Sequence, residues 1–267
     1  MTSNYYPERI LCLTEETTET LYLLGEEDRI IGISGFTVRP KRARKEKPIV
    51  STFIDAKIEV ILDLKPDLVI GFSDIQADIA QELIARGITV WINNYRSVAE
   101  IYKMMFQLGS LVGKADRARE LIEGYRQTIQ SSCAANRAAA VKPRVYFEEW
   151  GDPLITGIQW VSELVELAGG IDIFRDLKDT SLAKNRIIAD PGTVIERNPD
   201  IIIGSWCGKK FRPERVTARA GWDKISAVQN GELHEINSSI ILQPGPAAVT
   251  EGIAALAKII GDWQAKQ

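Results

Sequence analysis

Short apolar runs alternate with longer amphipathic stretches along this chain, and two pairs of runs repeat one pattern. The segment KPDLVIG at 65–71 recurs as NPDIIIG at 198–204, and GITVWIN at 87–93 is echoed by GELHEIN at 231–237. An apolar, β-branched run bounded by Pro-Asp and Gly is typical of a buried parallel strand. The echo therefore predicts two copies of one structural plan.

Two further strand starts lie upstream, at 9–13 and 144–147, and each precedes a helical stretch that ends at glycine. Strands that alternate with helices indicate parallel α/β sheets. We therefore predict an α/β protein of two Rossmann-like lobes with parallel sheets, joined by a single long α-helix. The expected boundaries are 1–94 for the N-terminal lobe, 95–138 for the linking helix and 139–267 for the C-terminal lobe.

The segment between the lobes has the pattern of a helix. Ser97 and Glu100 have the spacing of a capping box, and apolar residues recur at three- and four-residue steps from 98 to 129. A continuous helix of about 36 residues would be a rod of roughly 50 Å. Glycine costs only about 1 kcal/mol inside a helix, so we favour this rod over two helices broken at Gly109 or Gly113 that pack within one lobe.

Composition and charge exclude several classes of function. The 267 residues include 33 basic and 36 acidic side chains and a net charge of −3, so no overall positive field draws the chain to nucleic acid. Three cysteines without C-x-x-C spacing and a single histidine, His234, argue against a disulfide framework, a zinc site and a His-rich metal centre. We expect no resident cofactor or metal, no nucleic-acid partner and a monomeric chain.

Aromatic and polar residues follow the predicted strands. In parallel α/β sheets the ligand lies at the carboxyl ends of the strands, so aromatic side chains there would present apolar faces around a cleft, with a few polar groups to orient a large, flat ligand. An aromatic residue in this position can also simply cover the core. On the first interpretation we expect these residues to bind ligand: Phe36, Arg39, Phe72, Glu149, Trp150, Trp206, Gln243 and Pro246.

A catalytic interpretation is the main rival. Glu148 and Glu149 are adjacent, but neighbouring residues of a strand point to opposite faces, so only one of them can enter a shared site. Asp74 could be a second carboxylate, although no spacing selects it, and the G-x-S-x-G, G-x-G-x-x-G and P-loop patterns do not occur. We predict that the protein is not an enzyme, and keep as the alternative an enzyme with Glu149 or Asp74 as its acid or base.

The run 39–47 holds six basic residues in nine. A solvated loop is the usual role of such a run. The sharper hypothesis is a basic rim that attracts an anionic ligand or partner.

Several motifs together resemble a known family. These are TETLYLLG at 18–25, RIIGI at 29–33, IEVILDLKPDLVI at 58–70, the long linking helix, and in the second half WVSELVELAGG at 160–170 and NPDIII at 198–203. In this order they are similar to the cobalamin and iron-siderophore substrate-binding proteins of ABC importers. The resemblance covers about 9–263 and is more specific for the fold than for the ligand.

The resemblance implies two α/β lobes joined by a rigid helix, a shallow cleft between them and non-catalytic capture of a corrinoid. Within the family, Phe36 and Phe72 fall where aromatic cleft residues of the cobalamin binders lie. The alternatives are haem or a ferric siderophore as ligand, or a cytosolic enzyme acting on a tetrapyrrole in the same cleft. The resemblance also implies an acidic residue on each lobe that docks onto a membrane permease, for which Asp78 and Glu214 are the candidates.

Members of this family are normally exported, whereas the first residues have neither a basic stretch nor an apolar stretch typical of a signal peptide. We therefore expect a periplasmic protein if a leader was removed, and a cytoplasmic relative if the chain is complete.

Overall fold

The computed structural model describes residues 5–177 and 182–267. The chain divides into two compact units. The N-terminal unit consists of Met1–Tyr95 and Ala99–Gly124, and the C-terminal unit consists of Arg96–Val98 and Tyr125–Gln267. Each unit is an α/β structure built around its own five-stranded sheet.

The sheet of the N-terminal unit is entirely parallel and has the strand order β3-β2-β1-β4-β5. Its strands are β1 (Ile10–Cys12), β2 (Ile30–Ser34), β3 (Ile49–Ser51), β4 (Leu68–Phe72) and β5 (Val90–Asn93). The helices that begin in this unit or at its border are α1 (Glu15–Leu23), α2 (Ala43–Glu46), α3 (Ile58–Asp63), α4 (Ala77–Ala85), α5 (Val98–Leu111) and α6 (Ala115–Ser132).

The sheet of the C-terminal unit has the order β10-β9-β6-β7, and β8 also pairs with β6. Its strands are β6 (Arg144–Gly151), β7 (Leu154–Thr156), β8 (Ile171–Asp172), β9 (Ile201–Gly204) and β10 (Leu233–Glu235). The helices are α7 (Ala134–Ala138), α8 (Gln159–Leu167), α9 (Gly192–Arg197), α10 (Pro213–Thr217), α11 (Ser226–Gln229), α12 (Ser238–Ile241) and α13 (Ile253–Gln264), the last preceded by a π-helical turn at Ala248–Gly252.

The internal echo corresponds to one strand-entry structure that occurs in both units. Lys65 and Asn198 both have positive φ, +48° and +37°, just before the Pro-Asp pair. The Asp67 carboxylate then accepts the backbone N–H of Arg9, and the Asp200 carboxylate accepts that of Arg144. In both units the Pro-Asp segment thus fixes a new strand beside the central one, β4 beside β1 and β9 beside β6.

The prediction of one continuous linking helix is wrong. Helix α5 ends at Leu111 and α6 begins at Ala115, with Gly113 at φ +73° in the left-handed conformation that typically ends a helix. Gly109 lies inside α5, where an added Cβ would stand 2.6 Å from the Cβ of Ala118, so glycine allows the two helices to meet. The prediction depended on the small cost of glycine inside a helix. Tertiary packing of the two helices, and not this cost, decides where the helix ends.

The second sheet differs from the prediction in one respect. Strand β6 continues to Gly151 and forms an antiparallel pair with β7, while its pairs with β8 and β9 are parallel. Glu148, Glu149 and Trp150, expected just beyond a strand, therefore lie within it. Within the described ranges every helix is too short or too polar to cross a bilayer.

Candidate ligand-binding site

The carboxyl edge of the first sheet carries two buried carboxylates. Glu15 and Glu16 begin helix α1 directly after β1, and each is 1% exposed. Glu15 Oε2 accepts the backbone N–H of Val38 at 2.6 Å, and Glu16 Oε1 accepts the hydroxyl of Thr14 at 2.6 Å. Burial raises the pKa of Glu15 to about 8 and that of Glu16 to about 7. This edge consequently holds protons near neutral pH.

An aromatic pair borders the same edge. The rings of Phe36 and Phe53 stack with centroids 4.7 Å apart and planes 20° apart. Phe36 is 48% exposed, so the pair presents an open apolar face to solvent. Phe53 was missed by the sequence analysis because β3, the strand it follows, is only three residues long.

Phe72, the last residue of β4, is half-buried and held by a buried amide. Its backbone N–H donates to Gln76 Oε1 at 2.9 Å. Gln76 Nε2 in turn donates to the carbonyl oxygens of Leu13, at 3.3 Å, and Phe53, at 3.2 Å. Gln76 thereby ties the ends of β4 and β1 to the segment that carries the aromatic pair.

Arg39 is anchored rather than free. Its Nε donates to Glu19 Oε1 at 3.1 Å, and its side chain is 23% exposed. Farther along the basic run, Arg42 is also engaged, by Glu27 at 2.6 Å and by the ring of Tyr22, 4.5 Å from its guanidinium carbon. These contacts favour a solvated loop over a basic rim for this part of the run.

The carboxyl half of β6 is organised around the fully buried Glu148. Its carboxylate accepts Trp206 Nε1 at 3.0 Å and the Nη1 and Nη2 groups of Arg219 at 2.6 and 2.9 Å. Trp206 is only 7% exposed and packs edge-on against Phe211. Trp206 therefore does not present the open indole face that we expected, and its contact with ligand stays a prediction.

Glu149 lies next to Glu148 on the strand but pairs with a different arginine. Its two oxygens accept Arg186 Nη1 at 2.6 Å and Nη2 at 3.2 Å, and Arg186 also donates to the carbonyl of Thr156. Arg186 is 2% exposed, so this bidentate pair is a structural clamp. Both oxygens of Glu149 are therefore occupied by Arg186, which speaks against Glu149 as the residue that contacts a substrate.

Trp150 borders a cavity of about 360 Å³. Its indole N–H donates to the carbonyl of Asp152 at 2.7 Å, and Lys209 Nζ lies 4.5 Å from the ring centroid. Trp206, Arg215 and Arg219 line the same cavity. A second cavity of about 660 Å³ shares Trp206 and Lys209 and extends to β10 and the start of α12.

The Gln243–Pro246 turn offers less open surface than we expected. Gln243 is half-buried and its carbonyl accepts the N–H of Gly245 at 2.8 Å, whereas Pro246 is buried and its carbonyl accepts the hydroxyl of Thr250 at 2.8 Å. The turn forms the entry to the last helix, and the ligand contacts of both residues stay predictions.

Comparison with known proteins identifies the family. The model of a family described as periplasmic binding protein matches residues 10–239, most of the chain. The chain belongs to this family. A Bacillus subtilis protein, named an uncharacterised ABC transporter substrate-binding lipoprotein, is 24% identical over 95% of this chain and 80% of its own. A Vibrio cholerae vitamin B12-binding protein is 27% identical over 90% of this chain and 84% of its own.

Solved structures of periplasmic binding proteins share the fold. A possible iron-binding periplasmic protein from Staphylococcus epidermidis aligns with a TM-score of 0.81 and 25% identity, over 96% of this chain and 99% of its own. A periplasmic heme-binding protein from Roseiflexus sp. RS-1 aligns with a TM-score of 0.81 and 20% identity, over the same shares of the two chains. The relatives agree on the architecture and differ in the ligands that their names state.

The two acidic residues predicted to dock onto a permease are exposed. Asp78 lies in the first turn of α4 and Glu214 in the first turn of α10, where it is 3.6 Å from Arg212. Both positions are accessible to a partner protein, one in each unit. Their role in docking stays a prediction.

The described residues contain no group of three or more His, Cys, Asp or Glu side chains that could hold a metal ion. His234, the one histidine of the chain, lies on β10 with Nε2 2.9 Å from Glu232. Its imidazole is thus already engaged by a carboxylate.

Proposed function

We propose that the chain is the substrate-binding protein of an ABC importer, and that it captures a corrinoid in the periplasm without chemical conversion. The membership of the periplasmic binding protein family supports the general role. The vitamin B12-binding relatives favour a corrinoid over other metal complexes, since they match over most of this chain. Haem and ferric siderophores are the alternative ligands.

The observation that carries this proposal is the aromatic surface at the carboxyl edge of each sheet. The first sheet ends in the stacked Phe36 and Phe53 with one ring half exposed, and the second in Trp150 with Lys209 over its ring. Aromatic faces of this kind bind a large, flat macrocycle by stacking and apolar contact. We propose that an aromatic face of this kind contacts the ligand.

The enzyme hypothesis is less well supported. Glu149 is clamped by Arg186, and Asp74 is an exposed residue beyond β4. Acid–base catalysis needs a group within hydrogen-bond reach of the substrate, and both oxygens of Glu149 are already bound by Arg186. We therefore propose binding rather than turnover.

The test is a titration of the protein with cyanocobalamin, haemin and ferrichrome, followed by tryptophan fluorescence. We expect binding of cyanocobalamin at micromolar concentration or tighter. Selective binding of haemin or ferrichrome would retain a substrate-binding protein but refute the corrinoid. Failure of all three to bind would refute the proposed function.

A matched pair of variants tests the aromatic surface. Phe36→Ala removes a ring that is 48% exposed at the proposed site, whereas Phe106→Ala removes one that is 37% exposed on α5. Stacking contributes roughly 1 kcal/mol beyond area burial, so we expect Phe36→Ala to weaken cyanocobalamin binding about fivefold or more. Equal effects of the two substitutions would contradict the role of Phe36.

Docking onto the permease is tested separately. Charge reversal at Asp78 and Glu214 should lower ligand-stimulated ATPase activity of the partner importer, because both exposed carboxylates are proposed to pair with basic residues there. Ligand affinity should stay unchanged. Full stimulation by the doubly reversed protein would contradict this role.

A further inference from the structure

The cavity beside Trp150 has a rigid wall. The Trp150 indole is fixed by its hydrogen bond to the carbonyl of Asp152, and Arg219 is fixed by the Glu148 carboxylate and stacks on Trp222, 4.4 Å from the ring centroid. Lys209 lies above the Trp150 ring. The cavity of about 360 Å³ lies within the C-terminal unit and has two aromatic walls and three cationic side chains. The walls are Trp150 and Trp206, and the cations are Lys209, Arg215 and Arg219.

The charges of these cations are not equally neutralised. Arg219 has a bidentate, buried partner in Glu148, and Arg212 nearby pairs with Glu214. Lys209 and Arg215 have no carboxylate within 4.0 Å in the part of the chain that the structure describes. The one acidic side chain lining the cavity is Asp152, which is exposed.

We propose that Lys209 and Arg215 bind an anionic side group, a carboxylate or a phosphate, of the captured metal complex, while its macrocycle packs against Trp150. The proposal rests on the proposed function and adds the charge of the ligand to it. It predicts a preference for complexes that carry an anionic substituent over neutral ones of the same size.

Physical chemistry favours an anion here over a second aromatic or neutral group. The chain has a net charge of −3, whereas two cations beside this one cavity have no carboxylate partner among the described residues. The Trp150 face removes water from one side of the Lys209 ammonium, which strengthens its attraction to an incoming anion. A hydrogen bond to a charged group changes Kd by roughly tenfold to hundredfold.

The experiment compares two corrinoids whose terminal side chain ends either in a neutral amino-alcohol amide or in a carboxylate. Dicyanocobinamide is neutral at its side-chain terminus, and dicyanocobyric acid carries a carboxylate there. Their dissociation constants are measured at two salt concentrations for the wild-type chain, for Lys209→Gln combined with Arg215→Gln, and for Lys224→Gln. Lys224 is an exposed residue of the same unit that lines neither cavity, so it controls for loss of a positive charge.

We expect the wild-type chain to bind dicyanocobyric acid at least tenfold more tightly, with a difference that shrinks at high salt. The double variant should bind the two corrinoids equally, and Lys224→Gln should retain the preference. If the wild-type chain binds both equally, the anion site is refuted and the proposed function stands. If neither corrinoid binds, the proposed function fails and the inference fails with it.

Discussion

The buried carboxylate of Glu15 should make the stability of the protein fall as pH rises. Its side chain is 1% exposed, one oxygen accepts the N–H of Val38, and its other oxygen has no partner among the described residues. Burial, followed by the neighbouring charges of Glu19 and Glu16, raises its pKa, while the hydrogen bond from Val38 and the charge of Arg39 oppose the rise. The perturbation we consider is Glu15→Gln, which keeps the shape and an oxygen acceptor for Val38 but does not ionise.

The sign and size of the effect follow from linkage. The pKa of Glu15 rises from 4.5 to about 8 on folding. Between pH 4.5 and about pH 8, the folded chain therefore keeps a proton on Glu15 that the unfolded chain has released. The stabilisation is fully present below pH 4.5 and is lost as pH rises through about 8. One such group lowers the unfolding free energy by about 1.4 kcal/mol per pH unit, or about 3 kcal/mol between pH 5 and 7.5.

Urea unfolding followed by circular dichroism at several pH values measures this slope. For Glu15→Gln we expect the decline between pH 5 and 7.5 to be shallower than for the wild-type chain by about 1.4 kcal/mol per pH unit. The control is Glu120→Gln, whose side chain is 68% exposed in the same unit and whose slope should equal that of the wild type. An unchanged slope for Glu15→Gln would refute the argument that this carboxylate is neutral in the folded protein.

Two further substitutions test the C-terminal unit by urea unfolding at pH 7. Glu148→Gln leaves the charge of Arg219 without its buried partner and should lower the unfolding free energy by roughly 3 kcal/mol; a loss within error of zero would contradict a stabilising role of the Glu148–Arg219 ion pair. Gly204→Ala places a Cβ 1.8 Å from the Phe211 ring and should destabilise by at least about 1–3 kcal/mol. Gly124→Ala is the control, since nothing lies within 4 Å of its added Cβ, and a similar loss from both would contradict the steric reason.

The sequence was sufficient to predict the two α/β units and the segment that repeats in both. The Pro-Asp repeat has a structural reason. Asp67 and Asp200 each accept a backbone N–H at the start of the central strand of their sheet. The linking helix could not be predicted as well. Gly109 and Gly113 cost little by propensity, and the decisive term is the close contact of Gly109 with Ala118, which depends on tertiary packing.

The strand pattern placed the candidate residues near strand ends, but it could not predict the contacts of their side chains. Residue order places Trp206 and Glu149 near strand ends, yet burial against Glu148 and pairing with Arg186 depend on partners 58 and 37 residues away. Arg215 carried no signal because it lies on a five-residue helix among other charged residues. Long-range ion pairs of this kind leave no periodicity in a sequence.

Calorimetric titration of the wild-type chain with cyanocobalamin tests the central claim most directly, because it measures affinity and stoichiometry together. We predict one site per chain with a dissociation constant in the micromolar range or tighter, and recovery of unchanged cyanocobalamin afterwards. Absence of binding heat at several temperatures, or conversion of the corrinoid into a product, would contradict the account of this protein as a corrinoid-binding protein.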